Sequence, residues 1–346
     1  MEIGLLSLGD HLPDPTTQER PESSAQRHQA IVESAVHAEA LGFDSVWLGE
    51  HHFCDYVLSA PAIVLAAIAA RTERIRLGTG VTLLANLDPV RVAEDYATLD
   101  GISAGRLELV AGRGILAETY EAFGQAPEES RERFRENLEL LLRLWREEEV
   151  TWSGQFRAPL EKVALQPRAV QRPHPPIWVA GGSSELSVDL AAELGLPLML
   201  PSVLSAPESF APLVERYRER WSAAGHPGSA RVGAVSHVHV RASGEEARRF
   251  WEPYYRSYVE FLQRLWVRTD LVGHEVRVTF DYERLLRGPA ICGGPGEVAD
   301  RLAAIRERLG LDVHLAMFDL GGLPRAELFR TLEVYAREVL PVLRDA

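Results

Sequence analysis

Glu50, His51 and His52 place one carboxylate and two imidazoles one glycine beyond the apolar run Val46-Trp47-Leu48. An imidazole near a carboxylate can hold one tautomer and exchange protons near neutral pH, which suits acid–base work. Two histidines and an acid also occur in metal sites, and His237 and His239 could add donors. Consecutive side chains on an extended segment point opposite ways, however. That disfavours chelation by both histidines and lets one face a shared centre while the other supports it. The bland reading of the same triplet is a solvated loop.

Gly181-Gly182-Ser183-Ser184, with Ser187 one turn later, forms a second constellation. Glycines allow an anion close to the backbone, N–H groups at a helix start point toward it, and hydroxyls add donors, so a phosphate group is its natural guest. The competing reading is an ordinary helix cap made by Ser183 or Ser184. Arg113, between Gly112 and Gly114, has room to reach a bound anion, and Arg131 could join it. Against this, Arg131, Arg133 and Arg135 stand among Glu128, Glu129 and Glu132, where surface ion pairs are nearly neutral in energy.

Gly78-Thr79-Gly80-Val81 interrupts a β-branched run, as at a bulge or a close ligand approach. No phosphate-loop lysine follows it. Gly293-Gly294-Pro295-Gly296 lacks the dinucleotide spacing, and no Gly-x-Ser-x-Gly turn occurs.

Positioning these groups requires a scaffold, and the chain alternates short apolar runs with longer helical patterns, the mark of a parallel sheet covered by helices. Eight such units are countable, with strands near residues 2–8, 44–48, 75–83, 106–111, 177–180, 197–200, 231–240 and 313–318. The triplet, Arg113 and the Gly-Gly-Ser-Ser loop all fall at strand C-terminal ends, where α/β barrels place their chemistry. The fold expected is a single (β/α)8 TIM barrel over residues 1–346, with insertions at 149–176, read as a small hairpin, and at 245–294. Trp251, Tyr254, Tyr255, Tyr258, Phe261 and Trp266 in the latter could wall an apolar pocket. At helical spacing they read more readily as core.

The chain's 346 residues are 46% hydrophobic, enough for one large core. Its 37 basic against 50 acidic residues give a net charge of −13, which disfavours nucleic acid and anionic membranes as partners. No apolar run approaches the roughly 20 residues of a membrane span, so a cytoplasmic protein is expected. Cys54 and Cys292 are the only cysteines, too few for a disulfide framework or a metal motif.

The chain resembles the bacterial luciferase-like flavin-dependent monooxygenases over nearly its whole length. The resemblance rests on Gly42-Phe43-Asp44-Ser45-Val46-Trp47-Leu48-Gly49-Glu50-His51-His52-Phe53, Ile75-Arg76-Leu77-Gly78-Thr79-Gly80-Val81, Pro89-Val90-Arg91-Val92-Ala93-Glu94-Asp95 and Ser103-Ala104-Gly105-Arg106. Arg113-Gly114, Pro175 to Ser183, Gly195-Leu196-Pro197 and Gly321-Gly322-Leu323-Pro324 extend it in order. It implies a barrel that binds reduced FMN, supplied by a separate flavin reductase, and uses O2 to oxygenate a small organic substrate through a C4a-(hydro)peroxyflavin.

His51 matches the family's catalytic histidine, with Glu50 and His52 supporting. Arg113, Ser184 and Ser187 match phosphate contacts beside the loop Gly181, Gly182 and Ser183, with Arg131 a further candidate, while Gly80-Val81 matches a non-prolyl cis peptide at the flavin ring. No metal is implied, and a homodimer is. Gly112 stands where luciferase carries a reactive thiol, which argues against transferring light emission or substrate. Two alternatives accompany this reading: hydride transfer with the deazaflavin F420, used by a related branch of the superfamily, and a non-catalytic flavin-binding subunit.

Overall fold

The first strand-to-helix unit illustrates how the sequence builds the scaffold. Ser23 and Gln26 form a capping box at the start of α1 (Ser24–Leu41), and Gly42 ends it at φ 86°, a left-handed position that glycine adopts without a Cβ penalty. A computed structural model describes residues 1–181, 184–203, 205–268 and 280–345, and the side chains of these except 266–268 and 345.

Strands β1 (Glu2–Ser7), β2 (Ser45–Leu48), β3 (Arg76–Leu83) and β4 (Leu107–Gly112) pair in sequence order. A two-stranded antiparallel hairpin, β5 (Val150–Trp152) and β6 (Leu160–Val163), stands apart, as the sequence suggested. The wall continues through β7 (Ile177–Ala180), β8 (Leu198–Leu200) and β9 (Val232–Val240), and closes through β11 (Val313–Met317) back onto β1. These eight parallel strands form a closed barrel.

Alternation along each strand sets its layers. Leu6, Trp47, Val110, Trp178, Val235 and Met317 fill the interior, whereas Leu5, Val46, Leu48, Leu77 and Leu109 pack outward beneath the helices. Trp47 pairs in register with Gly78. A Cβ on Gly78 would lie 2.1 Å from the indole, so this glycine serves packing and not a ligand.

One strand escapes the sequence reading. β10 (Ala290–Gly293) falls at the end of the expected insertion 245–294, and it pairs in parallel with residues 237–240 of β9. Because β8 pairs only with 232–234 on that edge, β10 continues the wall above β8. Four residues leading into Gly294 and Pro295 are too few to show a β period. A short helix, α4 (Ala117–Ala122), follows β4.

The remaining helices that bear on the site are α2 (Pro61–Ala69), α3 (Pro89–Ile102), α5 (Ser130–Arg146), α6 (Glu185–Leu194), α7 (Ala211–Ala224) and α8 (Gly244–Arg268). The aromatic face of α8 packs onto the barrel interior: Trp251, Tyr254, Tyr255, Tyr258 and Phe261 are all buried, in keeping with the core reading, while the Trp266 side chain lies outside the described residues. Among the described residues no helix is long and apolar enough to cross a membrane.

Candidate active site

Strand β2 ends in a polar segment because its next carboxylate has backbone partners waiting. Glu50 is buried; its N–H donates to the Val81 carbonyl (3.1 Å), and its Oε2 accepts the Leu83 N–H (2.9 Å). The other oxygen, Oε1, is 3.0 Å from His52 Nε2. The carboxylate therefore orients His52 and clamps β3, and does not touch His51. His52 also lies edge-on to Phe123, with ring centroids 5.1 Å apart.

His51 turns the other way, as the alternation of an extended segment requires. Its N–H donates to the Leu58 carbonyl (2.9 Å), and its ring lies 4.5 Å from that of Tyr56. Nδ1 is buried and has no hydrogen-bond partner among the described residues. Burial, with a smaller contribution from His52, pushes its pKa down to about 4, so the ring is neutral at neutral pH. The loop that carries it is stitched to the end of β1 by His11 N–H to Asp55 O (3.0 Å) and Val57 N–H to Gly9 O (2.9 Å).

The Gly80–Val81 peptide is cis, and the register between β3 and β4 shifts between Gly80 and Thr82. Val81 and, at the strand ends or just beyond them, Leu8, Ala180 and Val203 are only partly buried, although they adjoin the interior cluster. These apolar residues lie at the C-terminal end of the barrel. Gly112 sits against Val81: a Cβ there would lie 2.5 Å from Val81 Cγ2, so a side chain at this position would require Val81 to move.

Arginines and hydroxyls gather at the ends of β4 and β7. Arg113 donates to Ser130 Oγ (2.8 Å), and its carbonyl accepts the Tyr120 hydroxyl. Arg131 reaches from the first turn of α5 to Ser184 Oγ (3.4 Å), which is itself 3.4 Å from Ser187 Oγ. Neighbouring Arg135 is exposed and ion-paired with Glu139 and Glu193, as expected of a solvated face, whereas Arg133 is largely buried over Phe156 and pairs with Glu129, and Arg131 is turned to the serines. Ser184 occupies the N-cap position of α6 without a side-chain capping bond, so its hydroxyl is not used as the competing reading required. Burial, and to a lesser degree Arg131, lowers the Arg113 pKa. Two cations near each other and served mainly by hydroxyls form a site suited to an anion.

Gly181 is buried, with its N–H bonded to the Met199 carbonyl (3.0 Å); Gly182 and Ser183 lie outside the described residues. His237 and His239, weighed as metal donors, are enclosed by the α8 aromatics: His237 Nδ1 meets the Tyr255 hydroxyl at 3.0 Å, and the His239 ring is parallel to that of Trp251. Among the described residues no group of three His, Cys, Asp or Glu side chains is placed to hold a metal ion. Ser130, Tyr120 and Tyr56 belong to the site's surroundings and were missed by sequence reasoning, which had named Tyr258 only as a pocket-wall or core aromatic. Only Ser130, adjoining Arg131 at a helix start, carried a local signal.

The barrel, with its triplet at the end of β2 and cationic hydroxyl cluster at the ends of β4 and β7, defines an α/β barrel enzyme architecture. The chain belongs to the luciferase-like monooxygenase family, whose model matches residues 1–312. The monooxygenase RslO1 of Streptomyces bottropensis superimposes with a TM-score of 0.86 at 32% identity, over 99% of each chain. The oxygenase component of the flavin-dependent trigonelline monooxygenase of Acinetobacter baylyi is 24% identical over 100% of this chain and 96% of its own length. An uncharacterized protein of Sinorhizobium fredii is 35% identical, over only 47% of each chain.

Proposed function

We propose that this protein is the oxygenase component of an FMN-dependent two-component monooxygenase: it takes reduced FMN from a separate flavin reductase, and O2, and adds one oxygen atom to a small organic substrate. The observation that carries the reading is the convergence of Arg113, Arg131, Ser184 and Ser187 at the rim. These donors suit a terminal phosphate, with the guanidiniums neutralising it and the hydroxyls fixing its rotation.

Bound reduced flavin would supply the electrons that activate O2. The chain's own groups hold and shield it. Leu8, Val81, Ala180 and Val203 offer an apolar rim that excludes water, and the neutral imidazole of His51 offers a nitrogen able to hold or pass a proton. The printed name of the trigonelline relative, an oxygenase component, supports a separate reductase. A homodimer is supported by α2, whose sequence PAIVLAAIA is apolar on every face and leaves Ile63 72% exposed.

Rapid mixing tests the reading: protein loaded anaerobically with reduced FMN is mixed with O2, and flavin reoxidation is followed by absorbance. Protein-bound flavin reoxidising in more than one phase, with a phase slower than that of free FMN, is the expected result. Reoxidation indistinguishable from that of free FMN removes the oxygenase role. Tight binding of F420 with no affinity for FMN moves the chain to the hydride-transferring alternative.

A further inference from the structure

His51 is held in an unusual way for a functional histidine. A catalytic imidazole is commonly oriented by a hydrogen bond at its second nitrogen. Here the nearest carboxylate, on Glu50, is committed to His52 and Leu83, and His51 Nδ1 is buried without a partner among the described residues. What touches the ring is Tyr56, with centroids 4.5 Å apart and planes inclined by 55°.

Tyr56 is in turn fixed from far along the chain. Its hydroxyl donates to the Tyr258 hydroxyl at 2.9 Å, across 202 residues. Its ring lies edge-on to Phe261, one turn further along α8, at 5.0 Å. Tyr258 packs its own edge against His237 on β9 at 5.1 Å. Both tyrosines are buried, so the bond between their hydroxyls satisfies groups that water does not reach.

We propose that Tyr56 and Tyr258 are positioning residues for His51: the hydroxyl bond from α8 fixes the Tyr56 ring, and that ring fixes the imidazole while leaving its nitrogens free for the reaction. The role in catalysis rests on the flavin oxygenase reading; the mechanical coupling does not. It follows that α8, which belongs to the insertion after β9, sets the geometry of a residue on the loop after β2.

The test uses the full chain labelled with [13Cε1]histidine, first without flavin, the His51 signal being assigned by its loss in His51→Asn. Tyr258→Phe and Tyr56→Phe each delete one hydroxyl and keep the ring. The His51 signal moves in both variants, to the same position, and the Tyr56→Phe/Tyr258→Phe double variant moves it no further, because one shared bond is lost in every case. With reduced FMN and O2, reoxidation changes by about fivefold in each single variant and in the double variant, while FMN affinity stays within about twofold, the split expected when one hydrogen bond acts only on the reacting group.

An unmoved His51 signal in Tyr258→Phe, or displacements that add in the double variant, overturns the proposal. The other histidine signals report folding, and if Tyr258→Phe does not fold, an unmoved His51 signal in Tyr56→Phe overturns the proposal equally. Wild-type protein that ignores reduced FMN would defeat the flavin reading and leave the labelled-histidine result to stand alone.

Discussion

Glu50 Oε2 accepts the backbone N–H of Leu83 at 2.9 Å, so the acid of the triplet is a clamp between the end of β2 and the strand that bears the cis Gly80–Val81 peptide. The buried carboxylate has a second commitment to His52 at 3.0 Å. Glu50→Leu leaves the Leu83 N–H unsatisfied in the interior and costs about 1–3 kcal/mol of stability, read by urea unfolding, whereas Glu50→Gln keeps an acceptor and loses less. Equal loss in both variants would show that charge and not the acceptor matters.

Arg113 predicts a selective loss. Arg113→Met removes one charge-assisted donor and weakens FMN binding by about 10–100-fold, while riboflavin, which lacks the phosphate, binds wild type and variant alike. Fluorescence titration measures both. A parallel weakening of riboflavin would place Arg113 away from the phosphate.

Acid lability follows from the buried histidines. Burial lowers His51 to about 4 and His237, His239 and His314 to about 3. Their folded values lie below the ordinary 6.5, so their contribution to stability is complete above pH 6.5 and is lost as pH falls through the folded values. Each adds a slope of up to about 1.4 kcal/mol per pH unit. Asp10, raised to about 6 mainly by burial, acts oppositely: its contribution is complete below its unfolded value and lost as pH rises through 6. Asp319, raised chiefly by burial, has the same sign. Four histidines outweigh two aspartates, and unfolding free energies measured from pH 7 to 4.5 fall steadily. A flat profile would contradict this.

Ile63, 72% exposed on an all-apolar helix, marks where the proposed homodimer would meet. For the proposed homodimer, light scattering is expected to give a dimer for the wild type and a monomer for Ile63→Arg. Dimers in both would move the interface off α2.

Much of the scaffold was legible because barrel strands buried on both faces are short apolar runs between caps, as at Val46 to Leu48 or Ile177 to Val179. The triplet and Arg113 stood out for the same reason, as polar groups close to the ends of such runs, whereas Arg131, Ser184 and Ser187 stood out at the starts of the helices that follow them. What stayed hidden depends on distance. β10 has four residues and exists because β8 stops early along β9. Tyr56 and Tyr258 meet across 202 residues, and nothing in either local pattern announces it. Glu50 read as a possible partner for imidazole chemistry, because its acceptor role toward Leu83 depends on a backbone N–H that sequence does not single out.

Anaerobic titration of the purified protein with reduced FMN, with riboflavin and F420 run in parallel, tests the central claim most directly. Reduced FMN should bind stoichiometrically, riboflavin at least about tenfold more weakly for want of the phosphate contacts, and F420 more weakly still. F420 binding more tightly than FMN, or riboflavin matching FMN, would contradict an FMN site built on Arg113, Arg131, Ser184 and Ser187.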